Sequence, residues 1–369
     1  MKTSTSYSCD KPAYDVILHI PSLQGGGAER VAIEIARYFI QQKKAVAFFL
    51  HDGDIAYDLP ADTDVFVAQS TGHLQRAGEL RTLLKQRTVH ALVSFLPYAN
   101  LISLLANAGR KRHTRLVLSE HLSYSGLHCK NIAERLKFVL MCCCYWRSDA
   151  IIAVSAGVAK DLRDRLYGPI RQKIVVIHNP CHLTDEPIPS QVRHRTSQTI
   201  LAVGRLVAQK GFDILIRAFD IVRQNMPGVR LVIVGEGPER ATLEALVEQL
   251  ALHDDVSLPG FTKNIASAYR RADLFVCSSR TEGFGNVIVE ALSFGLPVVS
   301  TACPHGPAEI LDGGRYGILA PVDDPHALAQ SILLGLDTPV DPGRQRARAR
   351  QFSLDVIGAQ YAQVEGLTA

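Results

Sequence analysis

Short apolar runs alternate with amphipathic segments along most of the chain. The runs are apolar at consecutive positions, whereas the segments between them repeat their apolar residues at helical spacing. This alternation predicts an α/β architecture in which parallel strands form a sheet and helices cover both of its faces. The predicted strands of the first half are DVILHIP, AVAFFLH, HALVSFL, RLVLSEH, AIIAVS and KIVVIHNP.

A polar stretch interrupts the alternation near the middle of the chain. It reads CHLTDEPIPSQVRHRTSQ, and we predict a linker in it at residues 184–198. The alternation restarts with the strands TILAVGRL, RLVIVGEG, VSLPGF, DLFVCSS and PVVST, and Pro238 is expected to open the helix after RLVIVGEG. Two Rossmann-like domains are therefore predicted, at residues 1–183 and 199–350, each long enough to bury its own core.

Composition favours a globular enzyme. Of the 369 residues, 47% are apolar and 21% charged, which argues against disorder. The N-terminal residues contain no signal-peptide core, and the longest apolar run, residues 138–146, is far short of the roughly 20 residues of a membrane span. We expect a cytoplasmic protein. Its eight cysteines include three in a row and no C-x2-C pair, so reduced cysteines are expected instead of disulfides or zinc.

The first half of the chain is the basic half. Residues 1–186 contain 23 Lys and Arg against 17 Asp and Glu, while the rest contains 17 against 19. Two readings stay open, namely contact with anionic lipid at an inner membrane face and an ordinary solvated surface. No nucleic-acid partner is expected. Part of the excess clusters at Arg110, Lys111, Arg112, Arg115, Lys130, Arg135, Lys137 and Arg147.

Two glutamates flank a glycine-rich turn after the strand DLFVC. Glu282 lies in the predicted loop, and Glu290 lies in a helix that Asn286 is predicted to open. Backbone amides at a helix N-terminus attract anions, and carboxylates accept hydrogen bonds from hydroxyls. The pattern therefore indicates a ligand with both phosphates and hydroxyls, such as a sugar nucleotide. The residues of the turn are Gly283, Phe284 and Gly285.

This constellation resembles the donor site of the retaining glycosyltransferases of family 4, and further motifs follow the family's order over nearly the whole chain. The resemblance implies the GT-B fold, two facing Rossmann-like domains with an interdomain cleft, and a C-terminal helix at residues 351–366 that packs back onto the first domain. It assigns the hexose to Glu282, the ribose to Glu290, and the nucleotide base to main-chain groups near Phe261.

Arg205 and Lys210, in VGRLVAQKGF, match the family's diphosphate clamp. A guanidinium fork beside an ammonium suits a diphosphate whose charge grows as it leaves. The resemblance implies that these cations replace a metal, so no cofactor is expected. Two D-x-D patterns, Asp52 with Asp54 and Asp62 with Asp64, are interpreted as loop acids because they lie away from the donor motifs.

The first domain contributes two further motifs. The glycines before Ala28-Glu29-Arg30 resemble the loop that approaches the donor phosphate, and they lack the G-x-G-x-x-G pattern of a dinucleotide site, which argues against a dehydrogenase. His121, in LSEH, matches a histidine that touches the donor hexose in the family, and Glu120 and Tyr124 are candidates for the acceptor side. The three glycines are Gly25, Gly26 and Gly27.

The expected activity is transfer of a hexose or N-acetylhexosamine from a nucleoside diphosphate sugar, UDP-linked, to a sugar hydroxyl with retention. CPHGPAEIL resembles a variant found among bacterial capsule, exopolysaccharide and O-antigen transferases, which points to a polyprenyl-diphosphate-linked glycan as acceptor. Two alternatives stay open. One is an inverting transferase that uses Glu120 or His121 as general base, and the other is a non-catalytic subunit that binds sugar nucleotides.

Overall fold

The computed structural model describes residues 13–109, 114–121, 144–166, 168–181, 198–262 and 264–367. These residues divide into two units. The first holds the described residues up to Pro180 together with those from Leu354 onward, and the second extends from Cys181 to Ser353. The predicted linker lies outside the described residues apart from Gln198.

The first unit contains a parallel sheet of seven strands. They are β1 (Ala13–Ile20), β2 (Val46–Leu50), β3 (Asp64–Val67), β4 (Thr88–Phe95), β5 (Arg115–Glu120), β6 (Ala150–Ala153) and β7 (Ile174–Val176). The spatial order is β3-β2-β1-β4-β5-β6-β7, and every neighbouring pair is parallel. The order reverses between β1 and β4, so the loops after these strands meet at the carboxyl edge, where such sheets bind ligands.

Helices on this sheet are α1 (Gly27–Gln41), α2 (His73–Gln86), α3 (Pro97–Asn107) and α4 (Ala156–Arg165). Strand β1 shows why the chain folds this way. Val16, Ile17 and Leu18 are all completely buried, because helices cover both faces of a central parallel strand. The uninterrupted apolar runs of the sequence reflect this two-sided burial.

The second unit contains a parallel sheet of six strands in the order β10-β9-β8-β11-β12-β13. The order reverses between β8 and β11. The strands are β8 (Thr199–Val203), β9 (Arg230–Val234), β10 (Val256–Gly260), β11 (Leu274–Cys277), β12 (Val298–Thr301) and β13 (Ile318–Ala320). The helices are α5 (Phe212–Asn225), α6 (Arg240–Gln249), α7 (Ile265–Arg271), α8 (Asn286–Ser293), α9 (Pro307–Ile310), α10 (Pro325–Asp337) and α11 (Pro342–Arg350).

The last helix, α12 (Leu354–Glu365), belongs to the first unit, where it packs against α1. The contact is close at Gly358, where an added Cβ would lie 2.3 Å from the ring of Tyr38. Among the described residues, no helix is long and apolar enough to cross a membrane.

The structure departs from the predicted elements at several points. Strands β3 and β13 were not predicted, and Asp64 begins β3 instead of lying in a loop. Pro238 does not open a helix, because α6 begins at Arg240. The backbone of Leu206 explains the delay, since it donates to the carbonyl of Glu236 and accepts from the amide of Glu239, which holds this segment in a turn.

Candidate donor site

The loops that follow β8 and β11 approach each other at the switch point of the second sheet. Gly211 allows this approach, because its φ is +63° and an added Cβ would lie 2.2 Å from the carbonyl oxygen of Ser278. The hydroxyl of Ser278 in turn donates to the carbonyl of Lys210 at 2.9 Å. Residues far apart in sequence are therefore brought together where this fold class binds ligands.

Lys210 and Glu282 form an ion pair in this position, with Nζ 2.5 Å from Oε1. Both side chains are largely buried, at 22% and 8% exposure. Burial opposes the charge on Lys210, but the carboxylate of Glu282 outweighs it and raises the pKa of Lys210 above its ordinary value. Lys210 is therefore a fixed cation, and two of its three ammonium protons are not used by any described residue, so they can bind a ligand.

Glu282 has a second fixed contact. The hydroxyl of Ser279 donates to Oε1 at 2.6 Å, the same oxygen that contacts Lys210. Oε2 accepts no hydrogen bond from any described residue. One carboxylate oxygen is thus held in place by the protein, and the other is free to accept a hydrogen bond from a ligand hydroxyl.

Arg280 ties the two loops together. Its guanidinium donates to both carboxylate oxygens of Asp213 at 2.9 and 2.8 Å, to Asp323 at 2.6 Å and to the carbonyl of Ala208 at 2.6 Å. Gln209 adds a further bond, from its side-chain amide to the carbonyl of Thr281 at 2.7 Å. The segment carrying Lys210 is therefore fixed to the segment carrying Glu282 on both sides of their ion pair.

The Gly-Phe-Gly turn begins α8, as predicted, with Asn286 as the first helical residue. Gly306 packs directly against it, since an added Cβ would lie 1.8 Å from the carbonyl oxygen of Phe284 and the φ of Gly306 is +75°. The Phe284 side chain is buried and its ring packs edge-on against Phe352 at 5.5 Å. The turn is therefore held from both its backbone and its side chain.

The remaining predicted donor residues differ in exposure and in their contacts. Arg205 is exposed, and its side chain contacts no described residue through a hydrogen bond or ion pair. Glu290 is buried in α8 and accepts a hydrogen bond from the hydroxyl of Tyr269 at 2.9 Å. Phe261, just after β10, is 71% exposed. Tyr269 was not singled out in the sequence, where it has no feature that separates it from an ordinary core aromatic.

In the first unit, the triple glycine forms the N-terminus of α1. The amides of Gly25 and Gly26 donate to Oε2 of Glu29 at 2.7 and 2.8 Å, and Ser22 donates to Oε1 at 2.6 Å. This is one half of a capping box, because Glu29 accepts from the loop amides but Gly26 has no side chain to accept in return. The glutamate three residues after Gly26 is the sequence signal that predicts this contact.

His121 lies directly after β5. Its Nε2 is 2.9 Å from the hydroxyl of Ser119, and its ring packs near Phe95 at 5.7 Å between centroids. Burial lowers the pKa of His121 to about 3. The imidazole is therefore neutral at physiological pH and acts as a hydrogen-bonding group instead of a charge.

Glu120 points into the protein interior. It is completely buried, and Oε1 accepts from the amide of Asn100 at 2.7 Å and from the hydroxyl of Tyr145. Asn100 is fixed in turn by Ser94, which donates to its side-chain oxygen at 2.6 Å. This network, which the sequence did not reveal, joins β4, α3 and β5 and holds the Glu120 carboxylate in the interior, while its acceptor contact stays a prediction. Tyr124 lies outside the described residues.

One acid of each D-x-D pair has protein partners for its carboxylate. Asp52 accepts from Gln24 at 2.8 Å and from the amide of Asp54 at 3.1 Å, and Asp64 accepts from the hydroxyl of Tyr14 at 2.6 Å. In the part of the chain that the structure describes, no three His, Cys, Asp or Glu side chains are grouped so that they could hold a metal ion.

Two protein-family models match the chain. The model described as Glycosyltransferase Family 4 matches residues 25–185, and the model described as Glycosyl transferases group 1 matches residues 197–337. The chain is a glycosyltransferase. Glycosyltransferase models match both of its halves, and the Lys210–Glu282 contact lies inside the second matched segment.

Two curated relatives illustrate the similarity. A glycosyltransferase of Methanocaldococcus jannaschii, described as uncharacterized, is 33% identical over 215 residues, which are 53% of the transferase and 52% of the relative. The transferase therefore aligns with about half of that protein. The N-acetylgalactosamine-N,N'-diacetylbacillosaminyl-diphospho-undecaprenol 4-alpha-N-acetylgalactosaminyltransferase of Campylobacter jejuni is 29% identical over 358 residues, which are 92% and 95% of the two chains.

Solved structures confirm the predicted fold. Anabaena HepE, crystallised in complex with UDP and glucose, matches with a TM-score of 0.80 over 96% of the transferase and 100% of HepE, at 22% identity. The transferase therefore has the GT-B fold, with two Rossmann-like α/β domains.

Proposed function

We propose that the transferase moves a hexose or N-acetylhexosamine from a UDP-linked donor to a sugar hydroxyl with retention of anomeric configuration. The observation that carries the proposal is the contact between Lys210 and Glu282. The Lys210 ammonium contacts the Glu282 carboxylate, which is suited to sugar hydroxyls, and together with Arg205 it is suited to a diphosphate. Recognition of the hexose and of the diphosphate would thus be coupled through Lys210.

The departing diphosphate gains charge as the glycosidic bond breaks. Arg205, Lys210 and the amides at the start of α8 are the groups that would stabilise it, and such fixed electrostatic contacts are each worth on the order of 10² in rate. In the proposed reaction the acceptor attacks from the face that the diphosphate leaves, and a diphosphate oxygen takes the acceptor's proton. No protein base and no metal is required.

The two residues considered as bases for an inverting reaction are poorly suited to that role. Glu120 is completely buried, and its Oε1 is bonded to Asn100 and Tyr145, so its carboxylate is engaged within the protein. His121 has a pKa lowered to about 3, which makes it a weak base at neutral pH. These features favour the retaining reaction.

The donor proposal is tested by thermal unfolding in excess EDTA with a panel of UDP- and GDP-linked sugars. A ligand at about 100 times its dissociation constant should stabilise the protein by roughly 2.7 kcal/mol, a shift of a few degrees. Arg205→Ala should lose the shift. Arg230→Ala is the matched control, because Arg230 is also exposed but lies at the amino end of β9.

The outcomes separate the hypotheses. Stabilisation by UDP-sugars that survives Arg230→Ala and is lost in Arg205→Ala supports a metal-independent donor site of the proposed kind. Stabilisation that requires added divalent metal would contradict the metal-free clamp, and stabilisation by GDP-sugars alone would overturn the UDP assignment. NMR of the product decides the stereochemistry, and binding without turnover on any acceptor would favour the non-catalytic subunit.

For the acceptor, we propose a polyprenyl-diphosphate-linked glycan of a bacterial surface polysaccharide, met at the inner face of the cytoplasmic membrane. Two observations support it. The name of the Campylobacter relative includes a diphospho-undecaprenol acceptor, and the first half of the chain has the excess of basic residues that an anionic lipid surface attracts.

Liposome flotation tests the membrane part of this proposal. The protein should float with anionic vesicles at low salt and lose binding as salt rises. Neutralising Arg110, Lys111 and Arg112, which lie outside the described residues, should weaken flotation. Equal binding by the neutralised variant, or no binding by the unaltered protein, would remove the support that the charge pattern gives.

A further inference from the structure

A cavity of about 270 Å³ lies in the second unit, at the opposite edge of the sheet from the donor loops. Pro297 precedes β12 and Gly317 precedes β13, so the cavity opens at the amino ends of these strands, whereas Lys210 and Glu282 follow the carboxyl ends of β8 and β11. In a parallel sheet these are opposite edges. The cavity is therefore separate from the donor site.

Cations gather around one aromatic ring in this cavity. The guanidinium carbons of Arg344, Arg348 and Arg315 lie 5.2, 5.4 and 5.9 Å from the ring centroid of Tyr316. Arg348 is already engaged, because it donates to the carbonyls of Ile310 and Glu309 and to the side chain of Gln351. Arg315 and Arg344 are the two that line the cavity.

The positive charges of Arg315 and Arg344 are only weakly neutralised by the surrounding protein. Arg344 donates to the carbonyl of Arg315 at 3.1 Å and forms no ion pair with any described residue. Arg315 meets Asp312 at 3.6 Å, but both side chains are more than half exposed, where an ion pair contributes little. Three guanidiniums around one ring repel each other, and an anion between Arg315 and Arg344 would relieve that repulsion.

The other lining groups suit the rest of a small polar molecule. The hydroxyls of Tyr316 and Thr338 have no hydrogen-bond partner among the described residues, and Asp341 uses one carboxylate oxygen to cap α11 at Gly343. Apolar faces come from Pro297, Val298, Ile318, Pro339 and Val340. Hydroxyls and a carboxylate beside apolar walls are groups that recognise the hydroxyls and ring of a sugar.

We propose that this cavity, lined by Arg315, Tyr316, Thr338 and Arg344, is a second ligand site that binds a phosphorylated monosaccharide. The two guanidiniums bind the phosphate. The hydroxyls and Asp341 bind the sugar hydroxyls. The site does not depend on the identity of the glycosyl donor.

The test measures binding of glucose 6-phosphate by calorimetry, with inorganic phosphate and glucose as separate probes. Arg205→Ala is present in every protein, so that phosphate binding at the donor clamp does not contribute. Glucose 6-phosphate should bind more tightly than inorganic phosphate, and glucose should not bind measurably. Adding Arg344→Gln should weaken the binding by about tenfold or more, the usual loss for a hydrogen bond to a charged group.

Arg350→Gln is the matched control, since Arg350 is exposed on the same helix but does not line the cavity. It should bind as the parent does. Hydrogen exchange should show protection at residues 314–317 and 338–345. No binding of either phosphate probe, an equal loss in Arg344→Gln and Arg350→Gln, or protection at residues 205–211 instead would overturn the proposal. Binding of inorganic phosphate alone would overturn its sugar part.

Discussion

The chemistry of the candidate donor site depends on a pair of side chains 72 residues apart, Lys210 and Glu282. Each was predicted as a ligand contact on its own. The structure adds that each holds the other in place, because the largely buried Lys210 ammonium is paired with the Glu282 carboxylate. The function of either residue is therefore sensitive to loss of its partner.

Glu282→Gln should leave the Lys210 charge partly buried without its carboxylate. We expect the free energy of unfolding to fall by roughly 1–3 kcal/mol and donor binding to weaken. Urea denaturation of Glu282→Gln, Lys210→Met and the double variant measures the coupling. If the two losses simply add, the contact contributes no coupling energy and the interpretation of a joined pair is wrong.

Two partly buried histidines make stability depend on pH. Burial lowers the pKa of His121 to about 3 and that of His51 to about 4, with Arg76 and His73 adding to the effect at His51. In the unfolded chain histidine titrates near 6.5, so the unfolded state binds more protons between these values. Stability should therefore be full above about pH 6.5 and fall as the pH drops toward 4.

His121→Asn should reduce this acid sensitivity. One buried histidine contributes about 1.4 kcal/mol per pH unit within its window, and the variant lacks that contribution. Urea midpoints at pH 5, 6 and 7 give the slope. A slope equal to that of the unaltered protein would mean that His121 is protonated in the folded state.

At the residue scale, the sequence identified side chains by motif but not their contacts. Glu282 and Lys210 stood out because of their spacing and neighbours. Asn100 and Tyr145, which bury Glu120, carry no local signal, because the network joins residues that only the fold brings together. The acceptor-side role of Glu120 therefore stays a prediction.

Two loops act as one element in the second unit. Arg280 bonds to Asp213, Asp323 and Ala208, so it spans the segments on either side of the Lys210–Glu282 pair. It touches neither member of the pair. We therefore regard it as a positioning residue whose loss is felt through the geometry of the loops.

Arg280→Lys keeps the positive charge but loses the planar guanidinium that bonds to Asp213 through two nitrogens. We therefore expect Arg280→Lys to lose nearly as much activity as Arg280→Gln. Turnover number should fall about tenfold or more in both variants, whereas the melting temperature changes by a few degrees at most. Arg240→Gln is the control, because Arg240 also bonds to two carboxylates but lies on α6. Full activity in Arg280→Lys would show that charge alone suffices.

Gly306 tests how the Gly-Phe-Gly turn is held. Gly306→Ala would place Cβ 1.8 Å from the carbonyl of Phe284 at a positive φ, whereas Gly313→Ala also has a positive φ, +62°, but meets nothing within 4 Å. The first should lower the melting temperature and donor affinity clearly more than the second. Equal effects would mean that backbone strain, and not the contact with Phe284, requires glycine.

At the element scale, the central strands were predicted and the short outer ones were not. β3 is a four-residue edge strand in which no residue is fully buried, and β13 has three residues. Neither strand gives an apolar run in the sequence that is long enough to distinguish a strand from a loop. The start of α6 was misplaced because backbone bonds from Leu206 set it, and sequence periodicity does not report such bonds.

At the scale of the molecule, the first unit is built from both ends of the chain. Periodicity predicted a break at residues 184–198, but only the family resemblance suggested that the last helix returns. In the structure α12 fits α1 at Gly358, which leaves room for the ring of Tyr38. The first unit is therefore incomplete without residues from beyond the second.

A chain ending at Ser353 should have a destabilised first unit and an intact second unit. The single tryptophan, Trp146, belongs to the first unit and reports its unfolding by fluorescence. We expect its transition to move to lower urea, while donor-induced protection at residues 205–211 in hydrogen exchange is kept in the absence of denaturant. A fluorescence transition at the full-length position would show that α12 adds little to the first unit.

The position of α12 at the end of the chain also determines when the first unit can be completed during synthesis. The ribosome makes the strands of the first unit first, yet the helix that covers α1 emerges only after the whole second unit. At translation speeds of about 5–20 residues per second, this delay is on the order of tens of seconds. The apolar groups beneath α12 are then exposed on the nascent chain, so we expect chaperones that bind such surfaces to associate with the growing polypeptide until its last residues emerge.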